Sequence, residues 1–211
     1  MNIHIITILP DSIKEYLKSS ILGRAQKKGL LKISLYNPRD YTENKHKKLD
    51  ARPYGGGPGM VLQAEPILKA VEKARGRKKD VKILIMTPHG KELTNKKAKS
   101  LTGYKDLIII SGRYEGIDAR VKKILKPEEI SIGNYVLAGG EIPALAVTEC
   151  IARQISGVLG EELSVEEKRE VAPKDTYTRP EEFKYKGKKY KVPKILLSGH
   201  HKNIEKFHKE K

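Results

Sequence analysis

The chain has 211 residues, enough for one large domain or one and a half small ones. Lys and Arg number 43 against 26 Asp and Glu, a net charge of +17, which points to a polyanionic partner, by default RNA or DNA. A single cysteine, Cys150, excludes an intrachain disulfide or a cysteine zinc cluster and fits a reducing cytoplasm, and no apolar run approaches the ~20 residues that span a bilayer.

Met1 leads directly into the strand pattern NIHIITIL (2–9), without the basic start and apolar stretch of a signal peptide. Asp11 then caps a helix whose apolar face holds Ile13, Tyr16, Leu17 and Ile21, and Gly29 ends it. LKISLY (31–36) alternates as a second strand. Residues 37–62 read as a long polar loop ending in YGGGPGM. A helix follows over 63–75, with Pro66 in its opening turn. VKILIM (81–86) is a strand, TPHG (87–90) turns away from its carboxyl end, and 94–102 form a short lysine-rich helix. DLIIIS (106–111) is another strand, followed by GRYEG (112–116) and the helical IDARVKKIL. EISI (129–132) closes the strands and enters a loop with Gly133, Gly139 and Gly140. The mostly apolar EIPALAVTECIARQI (141–155) reads as a buried helix, with Glu141 and Pro143 suited to its first turn.

Strands alternating with helices predict a parallel sheet covered on both faces. Ligands of such sheets bind beyond the carboxyl ends of the strands. TPHG, SGRYEG and SIGNYVLAGG all lie there, and their glycines let main-chain groups approach a flat ligand closely. YGGGPG at 54–59 lacks the Lys-Ser or Lys-Thr of a Walker loop. His89 and the His200–His201 pair have no partners at metal-ligand spacing. After residue 155 the character changes. Residues 161–170 carry five acids against two bases, and 171–211 carry twelve bases against five acids. FKYKGKKYKVPK (183–194) holds six lysines and no acid, interleaved with Phe183, Tyr185 and Tyr190. Its alternation around Gly187 predicts a small hairpin and a usable nucleic-acid surface.

The stretches LIIISGRYEGIDARV and EISIGNYVLAGGEIPA resemble the cofactor-binding core of the SPOUT methyltransferases. More narrowly they are similar to the bacterial tRNA (guanine-37-N1)-methyltransferase family, as are RPYGGGPGM (52–60), YTRP (177–180) and LLSGHH (196–201). The resemblance implies an α/β fold: a SPOUT-type parallel sheet with helices on both faces and a trefoil knot, plus a short C-terminal extension. It implies a methyltransferase domain over 1–160, a linker over 161–180 and a truncated tRNA-binding region over 181–211. The implied reaction moves a methyl group from S-adenosylmethionine to N1 of guanosine 37 in tRNA, in a cytoplasmic homodimer whose active sites are shared across the interface. Magnesium is implied as an aid. Another RNA substrate, or RNA binding without catalysis, are the alternatives.

By the same resemblance the cofactor's adenine lies against Ile132, Gly133, Asn134, Tyr135, Val136 and Leu137. Thr87, Pro88, Gly112, Tyr114, Gly139, Gly140 and Pro143 close the walls. Gly57 and Gly59 lie over the cofactor and the target base, and Lys186, Lys188 and Lys189 are expected to hold RNA. Guanine N1 must lose a proton and charge develops toward O6, so the site needs a base and a cation. Arg153 matches the catalytic arginine, with Glu115 as the carboxylate that orients it. Arg113 and Arg120 are expected to be surface or ribose-phosphate contacts. The resemblance implies a base supplied by the other subunit from the linker: Glu167, in a position the family fills with aspartate, with Glu166 and Asp175 as the alternatives.

Overall fold

The structure is a computed structural model and describes residues 1–43, 45–159 and 175–209. By internal contacts the chain divides into two compact units, Met1–Gly160 and Glu161–Lys211.

The first unit is built on five parallel strands: β1 (Asn2–Ile6), β2 (Lys32–Tyr36), β5 (Val81–Glu92), β6 (Asp106–Ile110) and β7 (Glu128–Ser131). They lie in the order β2-β1-β6-β5-β7. The registers begin together, Asn2 against Lys32 and Asp106, and Val81 against Asp106. A short antiparallel ladder, β3 (Asp50–Ala51) with β4 (Val61–Leu62), lies in the segment read as a polar loop, which also holds a 3-10 turn at Pro38–Tyr41.

Strand alternation sorts the apolar residues into two cores. Ile3, Ile5, Leu84, Leu107 and Ile109 pack with helices α1 (Asp11–Lys18), α2 (Ser20–Lys27), α4 (Asn95–Leu101) and α6 (Glu141–Gln154). Ile6, Ile83, Ile85, Ile108 and Ile110 pack on the other face against α3 (Ala64–Arg75) and α5 (Ala119–Leu125). Both faces are thus covered, as parallel sheets require.

Three local expectations are corrected. The helix expected from Asp11 through Ile21 is two helices. Ser19 is extended (φ −92°, ψ 166°) and Ser20 has φ +45°, which breaks the hydrogen-bond run. The residue preceding α1 is Pro10, and Asp11 sits within the first turn without capping it. Thr87–Gly90 does not end the strand. Met86 and Lys91 both pair with Ile130, so the intervening residues leave the ladder as a bulge and β5 resumes beyond them.

At the amino ends of the strands lies a buried polar group. His4 Nε2 is 3.2 Å from Asp106 Oδ1, Asn2 Nδ2 donates to the same oxygen at 3.0 Å, and Lys78 Nζ is 3.6 Å from it. Burial holds the His4 pKa below its ordinary value, against the opposing hydrogen bond to Asp106. Burial alone would raise the Asp106 carboxyl. Hydrogen bonds from His4 and Asn2, with the Lys78 charge, bring it below its ordinary value.

The second unit contains a hairpin, β8 (Glu182–Tyr185) with β9 (Lys188–Lys191), then α7 (Lys194–Leu197) and α8 (His201–Lys209). No helix among the described residues is long and apolar enough to cross a membrane.

Candidate active site

The loops that leave the carboxyl ends of β6 and β7, together with the bulge within β5, enclose a cavity of about 470 Å³. From β5 come Thr87, Pro88 and His89. From β6 come Gly112 to Ile117. From β7 come Ser131 to Gly133 and Tyr135 to Gly140, and Pro143 adds the first turn of α6. The parallel sheet is the reason for this convergence, since it directs all these exits to one side.

The β7 loop is held by short-range bonds. Ser131 Oγ donates to the Gly133 carbonyl at 2.9 Å and accepts from its N–H at 3.2 Å, while Tyr135 Oη donates to the Ile132 carbonyl at 3.1 Å. Gly133 has φ +151°, and a Cβ there would stand 2.3 Å from the Tyr135 ring. At Gly140 a Cβ would meet Ser111 Cα at 2.8 Å and Gly112 N at 2.9 Å, both immovable backbone. Gly140 N–H donates to the Gly112 carbonyl at 2.7 Å, and Arg113 bridges Gly139. Two of the loops are therefore joined main chain to main chain.

A buried carboxylate locks this junction. Glu141, 4% exposed, accepts from Thr7 Oγ1 at 2.8 Å and from Arg113 Nε at 3.1 Å. Thr7 Oγ1 in turn accepts from the Leu9 N–H at 3.0 Å. Arg113, expected as a surface or phosphate contact, thus serves as an internal clamp on the cavity wall. Sequence reasoning missed the Thr7–Glu141–Arg113 chain. Its one visible signal is an acid placed directly after Gly139–Gly140 on an otherwise apolar helix.

Arg120 is likewise occupied. Its Nε and Nη2 reach Asp118 at 2.9 and 2.6 Å, and Asp118 caps α5 through the Arg120 N–H. Side-chain and backbone hydrogen bonds from Arg120 hold the Asp118 carboxyl down at about 2.

The glycine loop 54–59 leans on the β6 loop. Glu115 N–H donates to the Met60 carbonyl at 3.0 Å, Leu62 N–H to the Gly116 carbonyl at 2.9 Å, and a Cβ at Gly59 would fall 2.4 Å from Glu115 Oε1. Gly57, at φ +118°, lies in the same loop, and Tyr54 beside it is wholly exposed.

Of the residues expected to hold a cofactor, Thr87, Pro88, Gly112, Tyr114, Ile132, Gly133, Tyr135, Val136, Leu137, Gly139, Gly140 and Pro143 line the cavity, as does Glu115. Asn134 does not. Arg153 lies in the last turn of α6, twelve residues beyond the helix's start at the cavity, a rise of ~18 Å. Within one chain it is not a lining residue. Glu166 and Glu167 lie outside the described residues, and Asp175 belongs to the second unit.

Residues 1–211 match the family model described as tRNA (Guanine-1)-methyltransferase TrmD. The chain belongs to this family. The tRNA (guanine-N(1)-)-methyltransferase of Desulforamulus reducens is 44% identical over 212 residues, covering 98% of this chain and 82% of the relative. That of Clostridioides difficile is 40% identical and covers 100% and 91%. The crystal structure of tRNA (m1G37) methyltransferase from Aquifex aeolicus superposes with a TM-score of 0.81 at 40% identity, covering 98% of this chain and 87% of that one. The α/β architecture with a central parallel sheet is the TrmD architecture, and a TrmD chain is an enzyme.

Proposed function

We propose that the chain transfers a methyl group from S-adenosylmethionine to N1 of guanosine 37 in tRNA. The observation that carries this reading is the cavity of about 470 Å³ at the carboxyl ends of β6 and β7 and the bulge within β5, in a TrmD-family chain. Its walls suit a nucleoside. Gly139 and Gly140 let their backbone pack against Arg113, Glu141, Ser111 and Gly112 at the cavity wall, and Ile132, Val136 and Leu137 give apolar contact. Thr87, Pro88, Gly112, Tyr114, Tyr135 and Pro143 complete the enclosure. Bound there, S-adenosylmethionine supplies a sulfonium methyl ready for in-line displacement.

The chain's own residues do the rest. The clamped loops hold donor and acceptor in line, which removes much of the entropic barrier. A carboxylate takes the N1 proton; this role is assigned to Glu167, with Glu166 and Asp175 behind it. Arg153 holds the charge that develops toward O6, oriented by Glu115. α6 carries Arg153 beyond the lining of the cavity, and in this reading the linker carboxylate is supplied by the other subunit, so that the site is shared across an interface. This reading makes the working unit a homodimer. Leu9, Tyr16 and Ile142, exposed at 39, 49 and 61%, offer apolar surface for such a contact.

The main-chain junction of Gly139–Gly140 with Gly112–Arg113 supports the SPOUT trefoil knot at this point. In this reading residues 1–160 form the catalytic domain, 161–180 the linker and 181–211 the tRNA-binding region, and the enzyme works in the cytoplasm. No cluster of three His, Cys, Asp or Glu exists among the described residues. An assisting magnesium ion, which often keeps most of its water, would need no such cluster.

The test is incubation with methyl-labelled S-adenosylmethionine and unmodified tRNA, followed by mapping of the methylated nucleotide. Label at N1 of guanosine 37 is expected; label on another base, or none, overturns the reading. Glu167→Gln should lower the single-turnover rate by ~10² with affinities intact.

A further inference from the structure

The hairpin of the second unit has two faces of different character. Its strands join through Lys186 and Gly187, whose φ values of +46° and +76° suit a type I′ turn. Cross-strand partners share a face. Phe183 opposes Tyr190 and Tyr185 opposes Lys188 on one side, while Glu182 opposes Lys191 and Lys184 opposes Lys189 on the other.

On the second side Glu182 binds Lys189 at 3.1 Å and Lys191 at 2.9 Å, so those lysines are internally paired. The first side has no acid within the strands; Glu181 lies just beyond their open end. The rings of Phe183 and Tyr190 stack there, with centroids 5.5 Å apart and planes 20° apart. Lys186 Nζ lies 5.5 Å from the Tyr185 ring centroid. Yet Phe183, Tyr185 and Tyr190 remain 54, 58 and 46% exposed.

Three rings held in water by a hairpin with a clean positive edge match a ligand that has flat π faces and negative charge together. Unpaired nucleotides have both. A duplex presents its phosphates but hides its base faces, and an uncharged protein surface leaves the lysines without a partner. We propose that the Phe183–Tyr185–Tyr190 face is a stacking platform for unpaired nucleotides of the substrate tRNA, with Lys186 and Lys188 on the flanking phosphates. This deepens, and rests on, the tRNA reading above. It divides the lysine cluster: Lys189 faces away, in the grip of Glu182.

The test uses the full chain, with end-labelled oligouridylate, an RNA duplex of equal length and unmodified tRNA. Binding is followed by anisotropy across a range of KCl. The triple change Phe183→Leu, Tyr185→Leu and Tyr190→Leu keeps apolar side chains and removes the rings. It should weaken oligouridylate and tRNA binding by about tenfold or more. The salt slope and duplex binding should not change. Methyl transfer should show a raised KM for tRNA with kcat preserved. Lys186→Gln with Lys188→Gln should instead flatten the single-strand salt slope by about 0.7 for each phosphate no longer neutralised, and Lys189→Gln should leave it unchanged. Should the triple variant misfold by circular dichroism, Tyr185→Leu alone decides, since it leaves the Phe183–Tyr190 pair in place. Wild-type affinity for oligouridylate and tRNA in the ringless variant overturns the proposal. So does a loss of self-association in sedimentation with RNA affinity intact, which would make the face a protein contact. Wild-type methylation of guanosine 37 in the same reactions tests the tRNA reading separately.

Discussion

Glu141 shows how much one side chain determines here. It is nearly fully buried, yet its two oxygens are committed to Thr7 and Arg113, which ties β1, the β6 loop and α6 together. Glu141→Gln keeps the size but deprives Arg113 of its counter-charge. The expected result is a loss of about 2 kcal/mol in urea unfolding, along with weaker cofactor binding by calorimetry. His4 governs a different property. It faces Asp106, Lys78 and the ring of Tyr36, with the Lys32 charge nearby, and its pKa is depressed in the folded state. The unfolded chain therefore binds more protons below the ordinary value of 6.5. Stability from neutral His4 is complete above that pH and is lost as pH falls through the lower folded value. Urea midpoints at pH 7 and at about pH 5.5 should differ in the wild type. In His4→Asn that difference should shrink.

At the scale of elements, two glycines mark places where only backbone fits. A Cβ on Gly23 would stand 1.9 Å from the Lys18 carbonyl oxygen, at the break between α1 and α2. Gly23→Ala should cost about 2–3 kcal/mol in denaturant unfolding, the range of an overpacked contact. Gly140→Val forces a branched side chain onto Ser111 and Gly112. A folded variant should lose S-adenosylmethionine binding by calorimetry; undiminished binding would remove the β7 loop from the site. The break at Ser19–Ser20 was not legible in the sequence, because the apolar spacing of Ile13, Leu17 and Ile21 continues across it. The strands and α6 were legible, since their apolar runs leave no other way to be buried. So was the meeting of the β6 and β7 exits, which follows from parallel strand direction. The Arg113–Glu141 clamp was hidden by the separation of 28 positions between its partners, and no periodicity reports a contact of that kind. The bulge at Thr87–Gly90 was hidden by its turn-like composition, which says nothing about the strand resuming afterwards.

At the scale of the whole molecule, the position of Arg153 at the far end of α6 leads to a mixing experiment. Arg153→Ala and Glu167→Gln chains should each be inactive alone. Mixed, they should regain about a quarter of wild-type turnover if the two residues reach one cavity from different subunits and exchange is random. Methyl transfer by the mixture measures this, and a fully active monomer in sedimentation would defeat it. The parallel sheet has a consequence of another kind. One strand, β6, starts at Asp106 among Asn2, His4 and Lys78 and leads to the cavity, one strand length away, ~16 Å for five residues. The group whose titration bears on acid stability thus lies at one end of this strand and the proposed methyl-transfer cavity at the other. A lineage moving to a more acidic habitat has a place to change that lies outside the cavity.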